Sequence, residues 1–442
     1  MRRRPVLTIV IMAALVRLVL LATAWHAPQR LLTPDSYEYA ALARTLGEDG
    51  VFARGERPEI FRTPGYPLFL LIGTLFGSAG VVTVAIVQIV ADVVTVYLTY
   101  LLALLVADRR AALWAAGWQA VCVVAVVSSV RILSDAPYTC LLMLALCLLA
   151  VHLKTGRWWS LLAAAGVIAA ACYVRPVGLA MAAVMGLSLL PRPKRWRRLA
   201  AFAGVVVVLL APWVIRNRIV ADYTGFSTFA TDSMYYFAVP ALTAERKGTD
   251  AAAERAWQRR HGASAERNAG LSPGRAAAWR ARRARQAIAE HPWAYTRLHL
   301  RGCAGVYLPA APSLLEIAGR TTGQRGTRAV LRREGLAAAV RHYFGGDTVA
   351  LLLAAPLVAL LGLKYAAVAI GAAGRLFARP TGRGRLRLPA EAWLLIGVVL
   401  VGTLLPGPFG LPRYRVPLGP ILSIAAGCGI AALTRRLRRR TN

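Results

Sequence analysis

Cysteine and histidine are scarce, six of each in 442 residues, and neither is grouped. Cys122, Cys140, Cys147, Cys172 and Cys428 fall in or beside apolar runs and only Cys303 lies elsewhere, so no disulfide framework is implied. His26, His152, His261, His291, His299 and His342 are scattered without metal-ligand spacing, and His291, before Pro292, reads as a helix end. No internal repeat is visible, and no low-complexity tract beyond an Ala/Arg bias. Acidic residues are few, 20 against 54 Lys and Arg, which leaves a formal net charge of +34. Such an excess suggests nucleic acid, but its placement argues against that partner. The arginines stand in short tufts between apolar runs, as in cytoplasmic membrane loops. The first run, Val6–Trp25, follows "MRRRP" without a small-residue cleavage site, so it reads as a retained helix.

What is abundant is apolar sequence. Hydrophobic residues make up 57% of the chain, and the mean hydropathy is +0.52. Apolar runs long enough to cross a bilayer recur along most of its length. If the basic tufts at the N-terminus, 107–112, 154–159, 191–198, 377–387 and the C-terminus all face the cytoplasm, the runs between them come in pairs. The spans are then Val6–Trp25, Val81–Val106, Leu113–Val130, Pro137–Leu153, Leu161–Tyr173, Val177–Leu190, Leu199–Ile215, Thr348–Gly374, Ala392–Leu405 and Tyr414–Leu433, ten in all with both termini inside. The run Pro64–Gly77 breaks this parity and is too short, rising ~20 Å against a ~30 Å core, so it reads as interfacial or re-entrant. This divides the chain into a membrane module, 1–215, with a first outer loop at 26–80, a large outer insert at 216–347, and C-terminal membrane helices at 348–442. Within the insert, the stretch Gly274–Gly302 reads as an amphipathic basic helix ending near Pro292, its arginine face solvated or resting on anionic lipid. Two charges fall inside spans: Arg17 and Asp92 lie about halfway along antiparallel neighbours, and a mutual ion pair is the least costly arrangement.

The remaining polar groups of interest collect at one predicted depth on the outer side. They are Asp35, Arg62 in "FRTPGYP", Asp135 in "RILSDAP", Arg175 in "YVRPVG", Arg216 and Asn217 in "PWVIRN", and Arg413 and Arg415 in "LPRYRVP". A carboxylate can take a proton from a hydroxyl nucleophile. Arginines hold phosphate through paired hydrogen bonds. Together these groups suit sugar transfer from a lipid phosphate.

"PDSYEYAALARTL" followed by "FRTPGYPLFLLIGTLFG" resembles the first loop of the GT-C membrane glycosyltransferases. The branch in question is family 39, the bacterial relatives of protein mannosyltransferases and of lipid A aminoarabinose transferases. "SDAP", "VRPVG", "PWVIRN" and "HPWAYTRL" follow in the order of that branch, and the resemblance covers about residues 5–300. It implies an all-α polytopic bundle of GT-C type with outer-face juxtamembrane helices, a multi-pass protein of the cytoplasmic (inner) membrane with its active site outside. It implies a polyprenyl-phosphate sugar donor and a lipid, glycan or protein acceptor. Asp35 would match the catalytic aspartate and Asp135 the second acidic residue. Arg62, Arg175, Arg413 and Arg415 would hold the donor phosphate, and Tyr37, Glu38, Tyr66, Arg216 and Asn217 would line the site. The aminoarabinose branch has a metal-binding glutamate about where Arg62 stands, and Glu59 is out of register, so the need for a divalent metal is left open.

Plainer readings exist. Asp35 with Glu38 resembles a helix N-terminal capping arrangement, with Tyr39, Leu42 and Leu46 as an apolar stripe. Asp135 suits a tight turn, and Arg175 and Arg413 suit lipid-headgroup anchors. At the level of the whole chain, intramembrane charges and short helices also suit a transporter or flippase of a lipid-linked anion. A non-catalytic GT-C-like assembly partner is a further alternative, against which the presence of Asp35 speaks.

Overall fold

The computed structural model describes residues 4–191, 193–268, 270–320, 322–323, 327–376 and 390–441. The basic tuft at 377–387 lies outside these residues. The first half of the chain forms α1 (Arg4–Thr23), α2 (Pro34–Glu48), α3 (Gly65–Thr74), α4 (Gly80–Val106), α5 (Arg109–Ala120), α6 (Val123–Val130), α7 (Asp135–Thr155), α8 (Trp158–Val174), α9 (Gly178–Leu187) and α10 (Arg195–Ala221). A two-residue antiparallel hairpin, β1 (Ala53–Arg54) with β2 (Arg57–Pro58), separates α2 from α3. The segment after α10 carries α11 (Phe229–Ser233), α12 (Val239–Lys247), α13 (Ala251–Asn268), α14 (Pro273–Glu290), α15 (Pro292–Gly305), α16 (Ala311–Ile317) and α17 (Thr327–Tyr343). The chain then forms α18 (Thr348–Leu376), α19 (Ala390–Leu404), a 3-10 turn at Pro412–Leu418 and α20 (Gly419–Thr441).

Every expected span falls on a helix. Six of these helices are long and apolar enough to cross a bilayer: α1, α4, α7, α10, α18 and α20 (with the turn before it). The pair α5–α6 adds a seventh if its 52° bend lies within one span. The other three, α8, α9 and α19, have 17, 10 and 15 residues and fall short on length. The run at 64–77 yields the ten-residue α3, which rises only ~15 Å, about half a hydrocarbon core.

Packing follows the apolar surfaces. Helix α7 is enclosed on most sides, whereas α1, α10 and α18 leave apolar side chains outward, such as Val19, Val208 and Leu352 at 66%, 69% and 67% exposure. A water-soluble protein hides such stripes, and a bilayer covers them. The chain is a multi-pass helical membrane protein.

The two intramembrane charges meet. Arg17 donates from Nε to Asp92 Oδ2 at 2.6 Å, and both side chains are wholly buried. The same guanidinium also donates from Nη1 to the carbonyls of Ala13 and Ala120, at 2.8 and 2.9 Å. Ala120 ends α5, where Cys122 turns to extended geometry and the 52° bend begins. Arg17 therefore serves a carboxylate and a carbonyl freed by the bend, and it brings positive charge to a helix C-terminus.

Close backbone approaches fix the outer elements. A Cβ on Gly302 of α15 would lie 1.9 Å from the Gly407 carbonyl oxygen, so that helix rests directly on the loop leading to Arg413. In the segment after α10, Arg280 is not simply solvated as its arginine-rich helix suggests. It is buried between Asp232 (2.6 Å) and Glu266 (2.8 Å).

Candidate active site

The site begins with how α2 starts. Thr33 is its N-cap, and Thr33 and Ser36 bond each other's backbone N–H groups in a reciprocal box. The capping expected of Asp35 and Glu38 is thus carried by Thr33 and Ser36 instead. Ser36 Oγ also donates to the Ile132 carbonyl at 2.7 Å, tying α2 to the turn before α7. Asp35, one residue inside the helix, is left free to face other partners. Its place in the first turn suits the positive end of the helix dipole.

Asp35, Glu38 and Tyr39 lie at i, i+3 and i+4, one face of α2. Arg62 meets all three. Its Nη2 donates to Asp35 Oδ1 and Glu38 Oε2, both at 2.8 Å, and its Nη1 donates to the Tyr39 hydroxyl at 2.9 Å. The guanidinium also lies over the Tyr39 ring, 4.5 Å from its centroid. From the other end of the chain, Arg413 donates to Asp35 Oδ2 at 2.8 Å. Both oxygens of Asp35 are therefore engaged by arginine. Burial alone would raise its pKa, but the charges of Arg413 and Arg62 and their hydrogen bonds outweigh that and hold the carboxyl below the usual range.

Asp135 sits beside this group. It opens α7, is almost fully buried, and pairs with Arg175. The second pair joins the first: Tyr39 is within 3.2 Å of Ser134, next to Asp135, and Arg413 feels the charges of both Asp135 and Asp35. Neither the tight-turn reading of Asp135 nor the headgroup-anchor reading of Arg413 accounts for this placement.

Arg62 is held in place from behind. Glu59 Oε1 accepts from the backbone N–H groups of Phe61 and Arg62, at 2.6 and 2.9 Å, and Glu59 also pairs with Arg54. Arg216 bonds the carbonyls of Glu59 and Phe52, at 2.7 and 2.6 Å. Asn217, fully buried, bonds the carbonyls of Gly225 and Phe226. The Thr228 N–H reaches the Ile60 carbonyl at 2.9 Å. Arg216 and Asn217, expected to line the site, instead brace the loop that presents Arg62.

Three other expected residues lie apart from the cluster. Tyr66 is fully buried, bonds Gln88 through its hydroxyl and stacks edge-on against Tyr39, so it supports the site from the core. Tyr37 is 61% exposed, about 200° around α2 from Asp35. Arg415 is buried and donates from Nη1 to the carbonyls of Val306 and Leu308 and to the Tyr365 hydroxyl. Tyr39 and Glu59 were not foreseen as site members. The spacing of Tyr39 from Asp35 carried that signal; nothing near Glu59 did.

A divalent metal does not fit this arrangement. Asp35, Glu38, Glu59 and Asp135 are each already paired with arginine. Among the described residues no three His, Cys, Asp or Glu side chains converge. Arg62 places a cation between the Asp35 and Glu38 carboxylates.

The family model described as dolichyl-phosphate-mannose-protein mannosyltransferase matches residues 61–215, which include Arg62, Asp135 and Arg175. No curated protein matches the chain. Among solved structures, the chain is similar to the oligosaccharyltransferase AglB of Archaeoglobus fulgidus in complex with an inhibitory peptide and a dolichol-phosphate. That match has a TM-score of 0.53 at 16% identity and covers 99% of this chain and 51% of that one. The apo form of the Archaeoglobus fulgidus oligosaccharyltransferase matches at a TM-score of 0.53 and 14% identity, covering 100% of this chain and 52% of that one. ArnT from Cupriavidus metallidurans, bound to undecaprenyl phosphate, matches at a TM-score of 0.41 and 16% identity over 88% of each chain. The chain thus spans about half the length of the archaeal oligosaccharyltransferase it matches. It shares its fold with the archaeal oligosaccharyltransferase, and its residues 61–215 match the mannosyltransferase family model.

Proposed function

We propose that the protein transfers a sugar from a polyprenyl-phosphate donor to an acceptor hydroxyl at the outer face of the cytoplasmic membrane. The observation that carries this is the double engagement of Asp35 by Arg62 and Arg413. Both guanidiniums keep a buried Nε without a hydrogen-bond partner. Buried donors left unbonded are costly, and a phosphate supplies the acceptors they lack. Arg175, beside them, adds a third cation.

The mechanism follows from the competition. With no donor bound, the arginines hold Asp35 as a weakly basic carboxylate. A donor phosphate draws their N–H groups toward itself. Asp35 then loses stabilisation as an anion and becomes a better proton acceptor. It takes the proton of the acceptor hydroxyl, whose oxygen attacks the anomeric carbon. The carbon–oxygen bond to the lipid phosphate breaks, the phosphate leaves held by the arginines, and the configuration inverts. The segment 216–347 lies over the site in this reading and selects the acceptor.

Reconstituted protein given a polyprenyl-phosphate sugar should release polyprenyl phosphate only when acceptor is present. Hydrolysis or transport of the intact donor with no transfer would overturn the reading.

The pH dependence should split. Because Asp35 has a lowered pKa in the free protein, it stays ionised above its ordinary value of ~4. Its contribution to stability is therefore present above that value and lost only as the pH falls through the lowered one. The kcat/KM profile, which reports the free enzyme, should show no acid limb between about pH 5 and 8, whereas kcat should show one at higher pH than kcat/KM. An acid limb in kcat/KM within that range would point to a different base.

Topology has its own test. A cysteine placed at position 110 should react with reagents only from the cytoplasm, and one at position 250 only from outside. Labelling of position 110 by an impermeant reagent on intact cells would overturn the ten-span arrangement and the outward-facing site.

A further inference from the structure

Arg413 and Arg415 leave the same 3-10 turn, two residues apart, for different surroundings. Arg415 lines a groove between the α5–α6 bend, the loop 309–311 and α18. Its walls are apolar, with Val121 and Val123 from the bend and Leu357 and Leu361 from α18. Three donor-bearing side chains line it: Lys364, Arg415 and Trp118.

Each of the three is short of acceptors. Lys364 is 4% exposed, and its ammonium contacts only neutral groups: Ser423 Oγ at 2.7 Å, the Gly419 carbonyl at 3.2 Å and Cys122 Sγ at 3.8 Å. Arg415 is 3% exposed, and its three bonds all come from Nη1. Among the described residues its Nε and Nη2 have no acceptor, and neither cation has a carboxylate within ion-pair reach. The indole N–H of Trp118 is buried without a partner. Two buried cations without an anion are costly at this depth, and such groups mark ligand sites by default.

We infer that this groove holds the phosphate monoester head of a polyprenyl phosphate, the lipid that the proposed reaction releases. The charge matches: two cations and a third donor meet a head that carries up to two negative charges. The lipid chain would lie along α18, whose outward leucines Leu352, Leu353 and Leu363 are exposed. The shared turn places Arg413 at the transfer site and Arg415 in the groove, so one short element borders both. The identity of the lipid rests on the proposed function; the presence of an anion site does not.

The test uses the full chain in lipid nanodiscs with a photoreactive polyprenyl phosphate, followed by mapping of the labelled peptides. Labelling is expected on 118–124 and 357–364. It should fall about tenfold, the effect of ~1.4 kcal/mol, in Lys364→Met with Arg415→Met. Trp118→Phe, which keeps the ring and removes only the N–H, should weaken it without loss of folding. Asp35→Asn should keep the labelling while losing transfer. Labelling that survives the double substitution, or that an excess of phosphatidylglycerol or of inorganic phosphate removes equally well, would overturn the assignment. Wild-type transfer with no label in the groove would sink this inference alone. Groove labelling in a protein that never transfers sugar would sink the proposed function alone.

Discussion

Asp35→Asn should abolish sugar transfer, lowering kcat by ~10²–10⁴ as expected for loss of a general base, while the protein still folds. The substitution keeps the shape of the side chain and one oxygen acceptor for Arg62 or Arg413. It leaves the start of α2 untouched, because Thr33 and Ser36 carry the cap. The helix therefore has no reason to unwind. Donor binding should survive or tighten, since the arginines no longer have a carboxylate competing with phosphate. The measurement is transfer by the purified variant, with donor affinity and melting temperature beside it. Full transfer activity would remove Asp35 from the chemistry. Loss of activity with a collapsed melting temperature would assign the aspartate to structure.

Asp92→Ala and Arg17→Ala should each destabilise the protein severely, by about 3–5 kcal/mol, because each strands the other charge in the bundle. Arg17 cannot shed its charge, so Asp92→Ala leaves a permanent cation held only by the carbonyls of Ala13 and Ala120. Asp92→Asn keeps an acceptor for it and should cost less. Arg17→Ala also strips the Ala120 carbonyl at the end of α5 of its donor. In a double-mutant cycle followed by detergent melting, the double variant should lose less than the sum of the singles. Additive losses would mean the two side chains do not interact. Activity per folded molecule should be unchanged, because the pair lies away from the carboxylates of the transfer site.

The parts of this architecture that were legible in the sequence are those written in local pattern or in the cost of burial. Apolar runs gave the membrane helices. The cost of a lone charge at mid-bilayer gave the Arg17–Asp92 pair, because few alternatives exist at that depth. Asp35, Arg62, Asp135, Arg175 and Arg413 were legible as a set through their common depth. Their pairing was not: the Arg413–Asp35 contact joins residues 378 apart, a distance over which no periodicity carries information. Arg415 shows the limit of depth as a guide. It shares a turn with Arg413, yet its bonds run to Val306, Leu308 and Tyr365. Asn217 and Tyr66 failed for a related reason. A polar residue near a site can as readily brace its backbone as face its substrate. Thr33 displaced Asp35 as the cap because, with Pro34 fixing the first helical residue, the capping position falls two residues earlier.

The span between Asp35 and Arg413 also has a consequence for how the protein is made. Asp35 precedes α3 and Arg413 follows α19, so the contact cannot form until both have been placed in the bundle. Throughout insertion of the intervening chain, Asp35 lacks its Arg413 partner. A chain cut short before the last 3-10 turn would keep α1 to α19 and still lack Arg413. The contact therefore closes only when the segment that carries Arg413 docks against the loop that carries Asp35.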